Sequence, residues 1–166
     1  MERKLKMNKI FVCIFLCVGL ICCTDKSHKP MVKYAISDNS IDNNKLNNLL
    51  LKAVNGGDSK AYNEFAASFI LEERLPELYY YALIMANKYH NGEAYYHLYL
   101  ILTNTNNIDG VQLGSDDNDT KNLSLYYLMK AYELGNSEAI EKANTIFTQK
   151  KTIKRPEYYL DQLDKK

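Results

Sequence analysis

The chain has no tryptophan, and its four cysteines, Cys13, Cys17, Cys22 and Cys23, all fall within the first 23 residues. Everything after Cys23 can form no disulfide and offers no thiolate. Zinc-finger, redox-dithiol and cysteine-nucleophile chemistry are therefore removed together. Net charge is nearly absent as well, with 21 Lys+Arg against 20 Asp+Glu. Nucleic-acid binders leave a basic excess or a basic patch, so no nucleic-acid partner is expected. There is no Gly-rich phosphate loop behind a strand, and histidine is limited to His28, His90 and His97. What is plentiful is tyrosine, 14 residues of it, together with Asn and Lys. The Asn/Lys bias fits an AT-rich bacterial genome and says nothing of mechanism. A length of 166 residues sets an expectation of one domain with a tail.

The first segment reads as an address. Arg3, Lys4, Lys6 and Lys9 precede Ile10–Cys23, IFVCIFLCVGLICC, fourteen residues without a charge. That run is shorter than the ~20 apolar residues a membrane-crossing helix needs. A basic head, a short apolar body and an abrupt polar continuation describe a secretion signal. Met7 is an alternative start to Met1, because MNK alone makes a compact basic head. Leu20-Ile21-Cys22-Cys23 resembles the lipobox of bacterial lipoprotein signals, with Cys23 as the modified residue. The resemblance implies a lipid-anchored protein of the bacterial cell envelope, with the bilayer as one partner. Thr24 at the position after the lipid favours the outer membrane by the same resemblance. The competing readings are an ordinary cleaved signal and an uncleaved anchor helix. Residues 1–22 are thus assigned to a signal peptide, and 23–45, polar and without periodicity, to a flexible tether.

From residue 46 onward the chain repeats itself, and such repeats decide the architecture. LKAVNGGDSKAYNEFA from Leu51, IMANKYHNGEAYYHL from Ile84 and MKAYELGNSEAIEKA from Met129 share one template. Each sets an alanine, a turn residue four later, a capping residue next to it and a second alanine three further on. The sets are Ala53/Gly57/Asp58/Ala61, Ala86/His90/Asn91/Ala94 and Ala131/Gly135/Asn136/Ala139. A left-handed glycine closes one helix and an adjoining Asp or Asn opens the next, so two helices share one corner. His90 must then adopt positive φ, which a non-glycine residue does at a cost. Apolar stripes at helical spacing follow each corner: Ala61/Phe65/Phe69 beside Tyr62/Ala66/Ile70, Ala94/Leu98/Ile101 with Leu102, and Ala139/Ala143/Ile146 with Phe147. First helices are expected over Leu46–Ala53, Glu77–Tyr89 behind Pro76, and Leu123–Leu134. RPEYYLDQL echoes RLPELYYYAL, which predicts one more helix over Arg155–Leu163. The 33 residues from Ala53 to Ala86 and 45 from Ala86 to Ala131 put an exposed loop between Thr103 and Asn122.

These three sets, and the Tyr-rich runs LYYYALIMA (78–86) and LSLYYLMKA (123–131), resemble the Sel1-like repeat, a relative of the tetratricopeptide repeat. The match is closest over YYLMKAYELGNSEA and covers roughly Leu46 to Phe147. It implies an all-α fold: a short α/α solenoid, a right-handed superhelix of about three helix pairs plus a C-terminal capping helix, within 46–166. It also implies that first helices line a concave, protein-binding face.

Reactive chemistry is thin. His90, Glu93 and His97 form H-x-x-E-x-x-x-H, but the corner at His90 interrupts the helix that a zinc site would need continuous. SDDNDT (115–120) lacks the Gly and Glu of a calcium loop at the required positions. Glu72 and Glu73 diverge at a helix end. No catalytic set, metal or cofactor is therefore assigned. Tyrosine remains the candidate for recognition, because it buries a large area with little entropy loss. Tyr79–Tyr81, Tyr126–Tyr127 and Tyr158–Tyr159 recur on first helices. Tyr80, Tyr127 and Tyr159 are the expected partner contacts. The function this supports is a non-catalytic, membrane-tethered binding module for an unknown protein partner, in one version an inhibitor or immunity protein. The alternatives are an envelope hydrolase with a site assembled from Glu64, Glu93 and His97, and a structural envelope assembly factor.

Overall fold

The computed structural model describes residues 43–105, 110, 112–147 and 152–163, all within one compact unit, Asp38–Lys166. The signal segment, Cys23 and most of the tether lie outside the described residues. Among those described the fold is all-α. Its helices are α1 (Asn43–Gly56), α2 (Ser59–Leu71), α3 (Tyr79–Tyr89), α4 (Gly92–Thr103), α5 (Asn118–Glu133), α6 (Ser137–Phe147) and α7 (Pro156–Leu160). A 3-10 turn, Leu75–Leu78, carries Pro76 in its first turn and leads into α3. Proline is suited there because its missing amide is one the helix start leaves unpaired anyway. α1 begins at Asn43, ahead of the expected Leu46, and α5 at Asn118 rather than Leu123.

All three expected corners form. Gly57, His90 and Gly135 sit at φ 71°, 51° and 77°. The Oδ1 atoms of Asp58, Asn91 and Asn136 accept from the amides of Ala61, Ala94 and Ala139 at 3.0, 2.9 and 2.8 Å. Three otherwise orphaned helix-opening amides are satisfied in this way. The preceding helices close locally too. Gly57 N–H donates to Ala53 O at 2.7 Å and His90 N–H to Ala86 O at 3.0 Å. A second bond follows at each corner, from Asp58 N–H to Lys52 O at 3.4 Å and from Asn91 N–H to Met85 O at 3.1 Å, while the third corner pairs Asn136 N–H with Ala131 O and Gly135 N–H with Tyr132 O, both at 3.0 Å. The template alanines Ala53, Ala86 and Ala131 are fully buried, so the helices meet where no larger side chain fits.

Each corner also holds the one before it. Asn91 Nδ2 donates to Ser59 Oγ at 2.9 Å, and Asn136 Nδ2 donates to Glu93 Oε2 at 2.8 Å. The capping amides therefore act twice, the oxygen within their own hairpin and the nitrogen on the previous one. Asp58, in the first of these corners, has no earlier corner to reach among the described residues, and a carboxylate has no N–H to give. The residue before each left-handed position does the same through packing. The Tyr89 ring lies over Gly57, and its hydroxyl reaches Val54 O and Asn55 O, both at 2.9 Å. Gly92 faces Leu134 in the same way. Gly57 thus answers two demands, a positive φ and the space under Tyr89.

Helices α1 and α2, α3 and α4, and α5 and α6 pack as hairpins, and α1 also touches α3. The most extensive packing is between α4 and α5. The stripes bury as the periodicity predicts in α2 and α4, except that Ile70 is exposed. In α6 only Ala139 and Ala143 are buried, and Ile146 is exposed. The final helix is shorter than Arg155–Leu163. It packs on α5 through buried Pro156 and Tyr159, with Lys130 and Glu157 3.6 Å apart. The inserted loop is pinched at its base, where Gly114 leaves no room for a Cβ beside the Asn104 carbonyl.

The dual role of the capping amides predicts an asymmetry. Asn136→Asp keeps the cap but faces the Glu93 carboxylate without a donor and should cost about 1–2 kcal/mol in urea unfolding, whereas Asn91→Asp can still accept from the Ser59 hydroxyl and should cost less than about 1 kcal/mol. Asp58→Asn should stay within about 0.5 kcal/mol. For Asn136→Asp the deficit relative to wild type should shrink as pH falls into the carboxylate range, starting from its upper end, because the Glu93 pKa is already raised by burial and a second carboxylate beside it raises it further. At the second corner, His90→Gly should stabilise by about 0.5–1 kcal/mol. The left-handed strain of an L residue, ~1–2 kcal/mol, outweighs glycine's extra chain entropy.

Candidate functional site

Two groups of side chains converge: a polar chain that runs between hairpins, buried at Tyr62 and His97 and half-exposed at Glu93 and Asn136, and a cluster of tyrosines on α3, α4 and α5.

The buried chain contains two of the three residues proposed for a hydrolase site. His97 on α4 is only 4% exposed. Tyr62 Oη lies 2.9 Å from its Nδ1, and Glu93 Oε1 lies 3.5 Å from its Nε2. Glu93 in turn accepts from Asn136. Burial lowers the His97 pKa to about 4, only partly offset by the charge of Glu138. At neutral pH the ring is uncharged, so its approach to Glu93 is not an ion pair. The tautomer that serves both neighbours carries its proton on Nε2, and Nδ1 then accepts from Tyr62. Burial raises the Tyr62 pKa well above its usual value, and the Glu93 charge adds to the rise, so the phenol stays protonated. Glu93 itself is raised, chiefly by desolvation and then by Glu138. The third proposed member, Glu64, is elsewhere. It is exposed on α2 and lines a groove of about 230 Å³ with Lys45, Leu46, Leu49, Ala67 and Ser68. Residues Glu93 and His97 come together while Glu64 does not, and the imidazole is enclosed and already hydrogen-bonded. The arrangement links Tyr62 of the first hairpin, His97 and Glu93 of the second and Asn136 of the third.

His90 ends α3 in the left-handed conformation, which takes it off the helix that carries Glu93 and His97. Among the described residues, no three His, Cys, Asp or Glu side chains are placed to hold a metal ion. Asp117, from the acidic loop, caps α5 by accepting from Thr120 N at 2.8 Å and Thr120 Oγ1 at 2.7 Å. Its pKa falls well below the usual range, through hydrogen bonds from Ser115 and Thr120. Glu72 is held by Arg74 at 2.7 Å, and Arg74 also grips Glu77 and lies over the Phe69 ring.

The tyrosines divide differently from the sequence expectation, which puts Tyr80, Tyr127 and Tyr159 on one open face. Tyr80 is 53% exposed, but Tyr127 and Tyr159 are only 7% and 5% exposed. Tyr80 stands six residues before its template alanine Ala86, whereas Tyr127 stands four before Ala131. Two residues turn a helix by about 200°, so these side chains leave opposite faces. The true counterpart of Tyr127 is Ala82, which is also buried. Measuring each tyrosine from its template alanine carries this signal.

Tyr127 instead belongs to a cluster with Tyr79 on α3, Tyr95 on α4 and Tyr126 beside it on α5. Tyr95, which the sequence reading misses, has its ring centroid 6.2 Å from that of Tyr127, and Tyr126 has its centroid 5.2 Å from it. The Tyr127 pKa is pushed up to about 12, first by burial and then by the hydroxyls of Tyr79, Tyr126 and Tyr95. A second pair, Tyr96 and Tyr99, stacks at 5.9 Å. Tyr96 lies instead in the field of Glu138, Glu141 and Glu93.

Compared with protein-family models, with curated proteins and with solved structures, the chain matches none.

The His97 environment predicts an acid-sensitive fold. In the unfolded chain His97 titrates near 6.5, but folded it titrates at about 4. Between those values the unfolded state binds the extra proton, so stability is complete above about pH 6.5 and declines as pH falls toward 4. The full loss is roughly 3 kcal/mol at ~1.4 kcal/mol per unit. The raised Glu93 pKa works in the opposite sense across the carboxylate range. Unfolding free energies at pH 7, 5.5 and 4.5 for wild type and His97→Gln should therefore be compared, and the variant should lose most of the slope.

Proposed function

We propose that this chain is a non-catalytic protein-binding module of the bacterial cell envelope, lipid-anchored through Cys23. Its helix pairs form a short right-handed Sel1-like repeat stack that presents a tyrosine face to a protein partner. The observation that carries the reading is the contrast between the two converging groups. Of the groups with acid–base character, Tyr62 and His97 face each other inside the fold, and half-buried Glu93 closes the chain at its edge. The four phenols of α3, α4 and α5 share one place, and none of their hydroxyls has a described hydrogen bond within the protein. A site with hydrogen-bonding capacity left over is built to receive something, whereas a satisfied interior is built to hold the chain together. The partner-facing residues in this reading are Tyr79, Tyr95, Tyr126 and Tyr127. The signal segment supports an outer-membrane anchor facing the periplasm or the cell surface. Inhibition of a toxin and scaffolding of an envelope assembly are two versions of this same activity, differing in the partner.

Native affinity capture from envelope extracts, with wild type beside Tyr79→Ala/Tyr126→Ala, tests this. These two side chains are only partly buried, so the fold should survive their truncation. Wild type should retain a specific partner, and the variant should lose at least tenfold of it. Equal recovery by both, or turnover of cell-wall fragments by the wild type, would overturn the reading. Separately, Cys23→Ala should abolish palmitate incorporation, and retained label would refute the anchor.

A further inference from the structure

We propose that the third corner and the outer side of α6 form a docking surface for a helical hairpin of another protein, seated on this chain as a fourth hairpin. The inference goes beyond the tyrosine-face reading and depends on neither the phenols nor the anchor. It starts from the two joints that the chain makes within itself. At each joint a large side chain directly before the left-handed residue packs on the preceding corner, and the Asn directly after that residue donates to it. Tyr89 and Asn91 join the second hairpin to the first in this way, and Leu134 and Asn136 join the third to the second. The acceptors are Ser59 Oγ, one residue past Asp58, and Glu93 Oε2, two residues past Asn91.

The third corner carries both acceptor types at those two positions, Ser137 and Glu138, one and two residues past Asn136. Both are exposed, and the 2.8 Å bond from Ser137 Oγ to Glu138 Oε2 leaves accepting lone pairs on each. The Tyr89 ring fills the space above Gly57, whereas nothing described other than its chain neighbours comes within 4 Å of a Cβ placed on Gly135. Helix α6 is open in the same sense. Counted from the corner alanines Ala94 and Ala139, Tyr95, Ile101 and Leu102 of α4 correspond to Ile140, Ile146 and Phe147 of α6. Those of α4, on which α5 packs most extensively, are 3%, 1% and 6% exposed. Ile146 is 38% exposed, and Ile140 and Phe147 are only half-buried. Helix α7 does not cover α6 as α5 covers α4, because it has 5 residues and packs mainly on α5.

A repeat that ends a stack turns a polar face outward, but this end keeps the groups of an interior joint. Continuity with the two existing joints specifies the occupant. It needs a helix whose apolar side covers Ile140, Ile146 and Phe147. That helix must end in a corner offering a large apolar residue and, two positions later, an Asn or Gln. Tyr89 and Asn91, like Leu134 and Asn136, have that spacing. A second copy of this chain does not supply it. The corner it could bring has Gly56 before the left-handed residue and Asp58 after it. Gly135 would stay uncovered, and one carboxylate would face another. The Asn91 and Asn136 amides are already committed to Ser59 and Glu93.

The test is photo-cross-linking of the full-length chain in its native envelope, with Ile146→benzoylphenylalanine as the probe and sequencing of the cross-linked peptides. The probe should capture a second protein through a helix next to a corner with the order large apolar, any residue, Asn or Gln. Adding Ser137→Ala/Glu138→Ala should lower the yield at least about fivefold, the loss of about one hydrogen bond. Both side chains are exposed, so the fold should survive, and a thermal melt matching that of the probe-bearing chain checks it. Glu138→Gln, which keeps an acceptor oxygen, should hold the yield within about twofold. Tyr79→Ala/Tyr126→Ala should leave this cross-link unchanged, even where it abolishes capture at the tyrosine face. The proposal is overturned if the probe captures nothing, or only lipid, a second copy of this chain or a segment without such a corner. A yield indifferent to the Ser137/Glu138 variant overturns it as well. So does a cross-link lost in Tyr79→Ala/Tyr126→Ala, which would assign the contact to the tyrosine face.

Discussion

The fold depends on one local constraint, a helix end and a helix start that must share two residues. A left-handed residue lets the last carbonyls of one helix pair locally, and the Asx beside it satisfies an opening amide of the next. Gly57–Asp58, His90–Asn91 and Gly135–Asn136 each solve this with a left-handed residue and the same Asx cap. Because no loop intervenes, the two helices cannot drift apart, and the alanines on either side must be small. The hairpin geometry is decided within nine residues, before any long-range contact is made.

The same corners then carry the long-range contacts. An asparagine oxygen serves its own helix while its nitrogen serves the preceding hairpin, and Tyr89 and Leu134 cover the glycines of the corners before them. The Tyr62–His97–Glu93–Asn136 chain runs alongside these links. Its buried members, Tyr62 and His97, are costly unless both are satisfied. Here the neutral imidazole is what satisfies the pair, and the fold therefore disfavours the protonated form down to about pH 4. Residues that look like acid–base equipment in the sequence are in this way absorbed into cohesion between hairpins.

Recognition falls to what cohesion leaves unused. The phenol hydroxyls of α3, α4 and α5 are positioned by rings that pack against one another, yet none is consumed by the packing. Such a surface is rigid without being saturated, the condition under which binding loses little free energy to ordering.

The corners, the burial of the α2 and α4 stripes, the inserted loop and the last helix were legible in the sequence. All of these depend on residues within one or two turns of each other. The positive φ of His90 was legible for the same reason. The chemistry of His97 was not, since it is set by Tyr62, which is 35 residues away. Nor was the split between Tyr80 and Tyr127, because a run of tyrosines looks alike until the helix that carries it is rotated into a packing register. The amino-acid sequence by itself determined where this chain turns, since turning is a matter of local hydrogen bonds. Only the tertiary structure decided which tyrosines and which titratable groups meet, since that depends on how one hairpin is seated on the next.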